Sequence, residues 1–153
     1  MDALTVPLSM AEIVGRLVLA TFFGAAIGLN REQQGKPAGL RTHALVAVGA
    51  ALFTLVGLML HGSDGAATGR VVQGIVAGVG FIGAGVIMHR PDIEGVRGLT
   101  TAATIWMVSA VGVATGAGLW RTSLVTLALT LIVLIAGDAI DRWIHARFSN
   151  TPS

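Results

Sequence analysis

The residues of this sequence that could do chemistry lie in short polar stretches between long apolar segments. Three of these stretches combine arginine with amide, hydroxyl or imidazole side chains, and two carboxylates, Asp138 and Asp141, follow late in the chain. Guanidinium groups hold anions or carboxylates through paired N–H donors. The sequence therefore predicts a ligand- or partner-binding cluster with ten members: Asn30, Arg31, Glu32, Arg41, Thr42, His43, Arg97, Thr100, Thr101 and Asp138.

In this cluster the arginines would bind an anion or a partner's carboxylates, and Glu32 and Asp138 would supply internal counter-charges. Asp138 could also pair with Arg142, four residues later on the same helix face. The alternative interpretation is that the positive charges only fix the orientation of the chain in a membrane. The cluster also holds the imidazole of His43 and the hydroxyl groups of Thr100 and Thr101, which the orientation of the chain in the membrane does not require.

No catalytic, cofactor or metal site is predicted. The chain has no cysteine, which excludes disulfides and thiolate metal sites, and it lacks both the phosphate-binding P-loop and the nucleophile elbow. A magnesium path would be expected to offer carboxylate oxygens near the middle of the membrane. The acidic residues stand instead near the ends of apolar segments or in loops. Backbone carbonyls could still line a path, so an ion transporter or channel remains the alternative function.

The composition is that of a membrane protein. Hydrophobic residues make up 54% of the chain and charged residues 12%, against about 25% charged in soluble domains, and the mean hydropathy is +0.78. We predict one all-α domain over residues 1–153, with five transmembrane helices of about 20 residues each. Their expected ranges are about 10–29, 40–60, 71–89, 100–120 and 123–144. The first span has no basic n-region before it and no clear cleavage site, so we expect it to be retained.

The basic residues are spread between the apolar spans rather than over one face. The net charge is only +2, so we predict no nucleic-acid partner; the lipid bilayer is the expected surrounding. Seven Lys and Arg residues fall on one side of the membrane and three on the other. The seven-charge side should be cytoplasmic, which places the N-terminus outside and the C-terminus inside. The two groups are Arg31, Lys36, Arg41, Arg90, Arg97, Arg142 and Arg147, against Arg16, Arg70 and Arg121.

Small residues predict which helix faces pack. The third span carries five glycines between Val71 and Met88, distributed over two sides of the helix, so we expect it to be the central helix of the bundle. Small residues let membrane helices approach closely, and the stripes on helices 1 and 4 predict a homo-oligomer. The expected packing glycines are Gly24, Gly28, Gly74, Gly78, Gly80, Gly85, Gly112 and Gly116.

Two polar side chains, Thr54 and Gln73, are predicted to lie inside the membrane. An interhelical hydrogen bond is the favoured interpretation for both, and an ion path along the second helix is the alternative. On that helix one polar, small-residue stripe should face the bundle: His43, Ala47, Ala50, Thr54, Gly57 and His61.

Four motifs resemble those of the MgtC/SapB family. They are N-R-E at 30–32, A-G-L-R-T-H at 38–43, G-F-I-G-A-G-V-I at 80–87 and V-R-G-L-T-T-A-A-T-I-W at 96–106. The resemblance implies a bacterial inner-membrane protein linked to growth under magnesium limitation, to virulence and host survival, and to inhibition of the ATP synthase. It also implies a short member of the family, without a soluble ACT-like C-terminal domain. We therefore expect a non-catalytic regulatory or interaction protein, active in magnesium limitation, acid stress or host survival.

Overall fold

Long apolar helices make up the structure, a computed structural model that describes residues 8–61, 65–88 and 97–148. Within these residues the chain forms five α-helices: α1 (Met10–Gln33), α2 (Leu40–His61), α3 (Gly65–Met88), α4 (Leu99–Gly116) and α5 (Trp120–Phe148). Each helix contains a segment long and apolar enough to cross a bilayer. The prediction of an all-α, multi-pass membrane protein with five spans is therefore confirmed.

The helix ends differ from the predicted ones, and the difference matters most at α1. Ser9 and Glu12 form a capping box at its start, as the spacing of a hydroxyl and a glutamate three residues later favours. The helix continues to Gln33, one turn past the predicted end. Arg31 and Glu32 therefore project from a helix rather than from a loop. α3 begins at Gly65, inside the predicted loop, and α5 begins at Trp120.

The central helix is α4 and not the glycine-rich α3. α4 packs against all four other helices, whereas α3 contacts only α2 and α4 in the part of the chain described. Half of the α4 span is buried, against 17% of the α3 span. The expectation of a central α3 was wrong because glycine content shows how closely a helix can be approached, without showing whether another helix approaches it.

α3 and α5 lie on different sides of α4 and do not contact each other over their described residues. This arrangement leaves part of the central helix uncovered. Trp106 of α4 is 49% exposed as a result, although the rest of that helix supplies much of the core.

Four of the predicted packing glycines mark close helix crossings inside the protomer. A Cβ on Gly24 would stand 2.6 Å from the carbonyl oxygen of His43, and one on Gly28 would stand 2.6 Å from Cα of Leu40. Gly112 and Gly116 of α4 face the α2 backbone in the same way. These glycines are therefore already covered by α2. The expectation that their faces join copies of the chain into an oligomer was wrong for that reason.

The other four predicted packing glycines, Gly74, Gly78, Gly80 and Gly85, pack against no other helix in the described protomer. All four are exposed, and a Cβ added to any of them would meet no atom within 4 Å. α3 packs instead through residues such as Ile75 and Val79. An apolar groove of about 700 Å³ remains between α2 and α3.

Neither Thr54 nor Gln73 forms the interhelical hydrogen bond that was predicted for it within the described residues. The Thr54 hydroxyl donates to the carbonyl oxygen of Ala50 at 2.8 Å, so its hydrogen bond stays within α2. Gln73 is exposed on α3 and makes no interhelical bond to the described residues. Thr115 of α4 instead donates to the hydroxyl of Ser123 on α5, at 3.0 Å.

Candidate functional site

Helix topology gathers most of the predicted cluster at one end of the bundle. Because successive spans run in opposite directions, the end of α1, the start of α2, the start of α4 and the end of α5 lie on the same side of the membrane. Three cluster members there are almost fully buried: Arg31 is 2% exposed, His43 0% and Thr101 2%. Asp138 is half-buried. A charged side chain buried this completely is rare unless it is paired.

The turn between α1 and α2 sets the relative position of Arg31 and His43. Gly35 and Ala38 both adopt left-handed backbone conformations, with φ of 62° and 59°, and the chain reverses between them. Glu32 closes the turn, since its Oε2 accepts a hydrogen bond from the Leu40 N–H at 2.8 Å. A carboxylate at the N-terminus of a helix is favourable. Glu32 is thus the cap of α2, and its role as a counter-charge for the arginines stays a prediction.

Arg31 is only partly satisfied by its neighbours. Its Nη1 donates to Oε1 of Gln34 at 3.2 Å, and the Gln34 amide donates to Oδ1 of Asn30 at 3.4 Å. The Nε of Arg31 is buried and has no hydrogen-bond partner among the described residues. Gln34 was not among the predicted site residues. Its spacing of three residues from Arg31 on a helix would have indicated the hydrogen bond between the two side chains.

His43 is held in one orientation. Its Nδ1 lies 3.0 Å from the carbonyl oxygen of Gly39, and because a carbonyl only accepts, Nδ1 carries the proton. In the neutral ring, Nε2 is then a hydrogen-bond acceptor. This Nε2 is buried, and no residue in the described part of the chain forms a hydrogen bond with it. A Cβ on Gly28 would stand 3.0 Å from Cβ of His43, so the glycine lets α1 approach α2 closely at this residue.

Asp138 completes the buried part of the cluster. Its Oδ2 is buried and has no hydrogen-bond partner within residues 8–61, 65–88 and 97–148, so the predicted pairing with Arg142 does not satisfy this oxygen. The charge of Asp138 acts on Arg31, and that of Arg31 acts on His43. We call Arg31, His43 and Asp138 the buried trio. Its members come from three different helices at one end of the bundle, and together they carry one donor and two acceptors that are unpaired among the described residues.

The remaining cluster members lie outside the trio. Thr101 is almost fully buried, Asn30 and Thr42 are half-buried, and Glu32, Arg41, Arg97 and Thr100 are exposed. A shallow polar pocket at the α1–α2 turn is lined by residues that include Glu32, Lys36, Arg41 and Thr42. The predicted cluster is thus divided into a buried centre and an exposed rim.

The chemistry that this arrangement supports is binding. Unpaired buried donors and acceptors can hold a polar ligand, a proton or a partner's polar group. The described residues include no group of three or more His, Asp and Glu side chains placed to hold a metal ion.

Comparison with known proteins gives one family and several bacterial relatives. The MgtC family profile matches residues 17–143. The chain is 48% identical to Protein SrpB of Synechococcus elongatus, over 83% of this chain and 75% of SrpB. It is 45% identical to Protein MgtC of Salmonella typhimurium, over 83% of this chain and 52% of MgtC. It is 41% identical to YhiD of Escherichia coli K12, whose name carries a provisional magnesium-transporter assignment, over 81% of this chain and 60% of YhiD.

No solved structure matches the chain. The chain spans only about half to three-quarters of the length of these relatives.

Proposed function

This chain belongs to the MgtC family, and from that premise we propose that it is a non-catalytic regulatory protein of the bacterial inner membrane. It acts by binding, at the end of the bundle that holds the buried trio. That end faces the cytoplasm, with the N-terminus outside. The physiological setting that we propose is adaptation to magnesium limitation, acid stress or host survival.

The observation that carries this proposal is that each member of the buried trio keeps one buried polar atom without a hydrogen-bond partner among the described residues. An ionised group inside a membrane bundle is costly and is found where function requires it. A role in topology alone would be served by arginines at the membrane surface, such as the exposed Arg41 and Arg97. Arg31 is instead almost completely buried. At that position it packs inside the bundle and keeps an unpaired Nε–H donor, neither of which is needed to orient the chain in the membrane.

We further propose that one partner is a second copy of this chain, bound through α3. Gln73 is exposed on α3 within the span Gly65–Ile87, where lipid offers its amide no hydrogen bond. An amide both donates and accepts, so Gln73 can pair with the same residue of a second copy across a two-fold axis. Gly80 lies about 20° from Gln73 around the helix and would allow close approach. By family resemblance alone, the ATP synthase is proposed as another partner.

Complementation tests the proposed function. Arg31→Lys preserves the positive charge and the topology signal but loses the planar fork and its Nε. In a strain that lacks the gene, Arg31→Lys and His43→Gln should reach normal membrane abundance yet fail to restore growth under magnesium limitation. Lys36→Arg is the matched control, because it changes an exposed cation in the adjoining turn, and it should complement fully. Full complementation by both trio variants would overturn the proposal.

The alternative is an ion transporter or channel, and the provisional name of YhiD favours magnesium as its substrate. The predicted path along α2 is filled, since His43, Ala47 and Thr54 are all buried and α4 crosses at Gly112 with direct backbone contact. Transport would therefore require α2 and α4 to separate. Magnesium flux into proteoliposomes that contain the purified chain would support this alternative, and its absence would favour the binding function.

A further inference from the structure

We propose that the apolar groove between α2 and α3 is a binding site for one phospholipid with an anionic headgroup. One acyl chain lies in the groove, and the headgroup phosphate binds at the end of the groove where His61 and Arg70 stand. This headgroup end is opposite the end that holds the buried trio. The lipid site therefore goes beyond the proposed function and does not depend on it.

The groove is closed at its floor. Its volume is about 700 Å³, and Ala50 of α2 and Ile75 and Val79 of α3 belong to its lining. These three residues are buried in one hydrophobic cluster with Ile105 of α4. The central helix thus seals the groove from below, and the groove opens outward between α2 and α3.

Glycines keep the groove open. Gly49 of α2 and Gly74 and Gly78 of α3 line it, and a Cβ on any of them would meet no atom within 4 Å. Phe53 and Leu60, which also line the groove, are largely exposed. Because the interior of a bilayer contains no water, an apolar groove that no described helix covers is filled there by hydrocarbon.

The length of the groove fits an acyl chain. Its lining runs from Val71 to Ile82 on α3 and from Leu45 to His61 on α2. At 1.5 Å per residue these stretches are about 16 Å and about 24 Å long. One leaflet is about 15 Å deep, half of the hydrocarbon core. A chain that enters beside Val71 is therefore enclosed over the full depth of one leaflet.

Polar groups are confined to one end of the groove. The described residues that line it are apolar or glycine, except His61 at the last position of α2. Arg70 precedes Gly74 by one helical turn and Gly78 by two, and so stands almost in line with them on α3. Side chains on a helix tilt toward its N-terminus, so the guanidinium group of Arg70 extends toward the headgroups. An apolar groove with a cationic end matches an anionic lipid.

The other charged residues described at this end are already engaged. Arg16 donates to a carbonyl oxygen of α4, Arg121 lies over a tryptophan ring, and Glu12 belongs to the capping box of α1. Arg70 is exposed and forms no hydrogen bond or ion pair with the described residues; Asp64 lies outside them. A guanidinium group binds a phosphate through paired N–H donors.

A helix from a second copy is the rival occupant of the groove. The α3 face proposed for the dimer carries Gln73 and Gly80, which lie about 140° and 160° from Gly78 around the helix. The dimer face is therefore separate from the groove. An acyl chain needs no hydrogen bond from the apolar lining, and its headgroup finds the polar side chains where they are.

Lipid titration of the full chain in mild detergent tests the site. The two probes are phosphatidylglycerol and phosphatidylcholine with identical acyl chains, and native mass spectrometry counts the lipids bound per chain. We expect one phosphatidylglycerol to bind more tightly than the first phosphatidylcholine. Gly78→Leu fills the groove and should remove this binding. Arg70→Gln should lower the affinity for phosphatidylglycerol about fivefold, the effect of one basic residue on an anionic lipid, and leave phosphatidylcholine unaffected.

Gly80→Leu is the matched control, because Gly80 is an exposed glycine on the other side of α3 where a Cβ also meets open space. It should retain the bound phosphatidylglycerol. Equal affinity for the two lipids, unchanged binding in Gly78→Leu or Arg70→Gln, or equal losses in Gly78→Leu and Gly80→Leu would overturn the proposal. A dimer that is lost in Gly78→Leu while the lipid is retained would assign the groove to a second copy.

Photo-crosslinking locates the lipid in the unsubstituted chain. Phosphatidylglycerol that carries a diazirine in one acyl chain, incorporated into nanodiscs, should label the groove residues of α2 and α3 more strongly than the lipid-facing side of α5. Labelling spread evenly over all exposed apolar residues would show only the surrounding bilayer lipid and would overturn the proposal.

Discussion

Arg16 donates a hydrogen bond from Nη1 to the carbonyl oxygen of Gly116 at 2.9 Å, and so joins α1 to the last residue of α4. The last carbonyls of a helix have no partner within it and carry partial negative charge, which a guanidinium group complements. Gly118 makes room for this contact, since a Cβ there would stand 3.0 Å from Cζ of Arg16. Arg16 is therefore a cap at the end of the central helix.

Removal of this cap should destabilise the bundle. We expect Arg16→Ala to lower the free energy of unfolding by about 1–3 kcal/mol, because a buried carbonyl is left unpaired. The measurement is the midpoint of unfolding in a titration with denaturing detergent. Arg70→Ala is the control, since Arg70 is exposed and the substitution changes the charge on the same predicted side of the membrane. Equal midpoints for the two variants would show that the Arg16 contact contributes nothing.

The glycines of α4 and α3 should respond oppositely to a methyl group. A Cβ on Gly112 would overlap the carbonyl oxygen of Ala47 and stand 3.0 Å from Cβ of Ala50. Gly112→Ala should therefore destabilise the protein by about 1–3 kcal/mol, as overpacking commonly does. Gly78→Ala meets no atom within 4 Å and should be neutral or stabilising by up to about 1 kcal/mol. The same detergent titration measures both, and similar losses in the two variants would contradict the packing described for α3.

Self-association should depend on α3. Gln73→Leu removes the exposed amide, and Gly80→Leu places a bulky side chain on the same helix face. We expect each to lower the dimer fraction in native mass spectrometry. Gly15→Leu on α1 is the control, because a Cβ there also meets open space, and it should leave the dimer fraction unchanged. A dimer that survives both α3 substitutions would exclude this face as the interface.

The orientation of the chain follows from the seven-to-three distribution of Lys and Arg and can be measured directly. Alkaline phosphatase fused after Arg147 should be inactive, since the enzyme requires the oxidising side of the membrane to fold. The same fusion placed between α2 and α3 should be active. The reverse pattern would place the buried trio on the outer side of the membrane and would refute the cytoplasmic binding site.

The number of spans could be predicted from the sequence because the length of an apolar segment alone decides whether it crosses a bilayer. The placement of Arg31 and His43 at one end of the bundle followed from the order of the spans, because α1 ends on the side where α2 begins. The position of α3 could not be predicted in this way, because its glycines permit close packing whether or not a neighbour is present.

The role of Glu32 depended on the shape of a turn. Its carboxylate reaches the Leu40 amide, eight residues later, only because Gly35 and Ala38 adopt left-handed conformations. A left-handed alanine is uncommon, and the sequence analysis contained no signal for it.

Because α3 and α5 do not contact each other in the described structure, Trp106 of the central helix α4 is half-exposed, and its fluorescence can report on this side of α4. Of the three tryptophans, Trp120 begins α5 and Trp143 lies near the end of its span, whereas Trp106 lies in the interior of the α4 span. Lipids brominated deep in their acyl chains should quench the fluorescence of this half-exposed indole selectively. Any molecule that enters the gap would displace those lipids and restore the emission, so occupation of the central helix can be followed without a label.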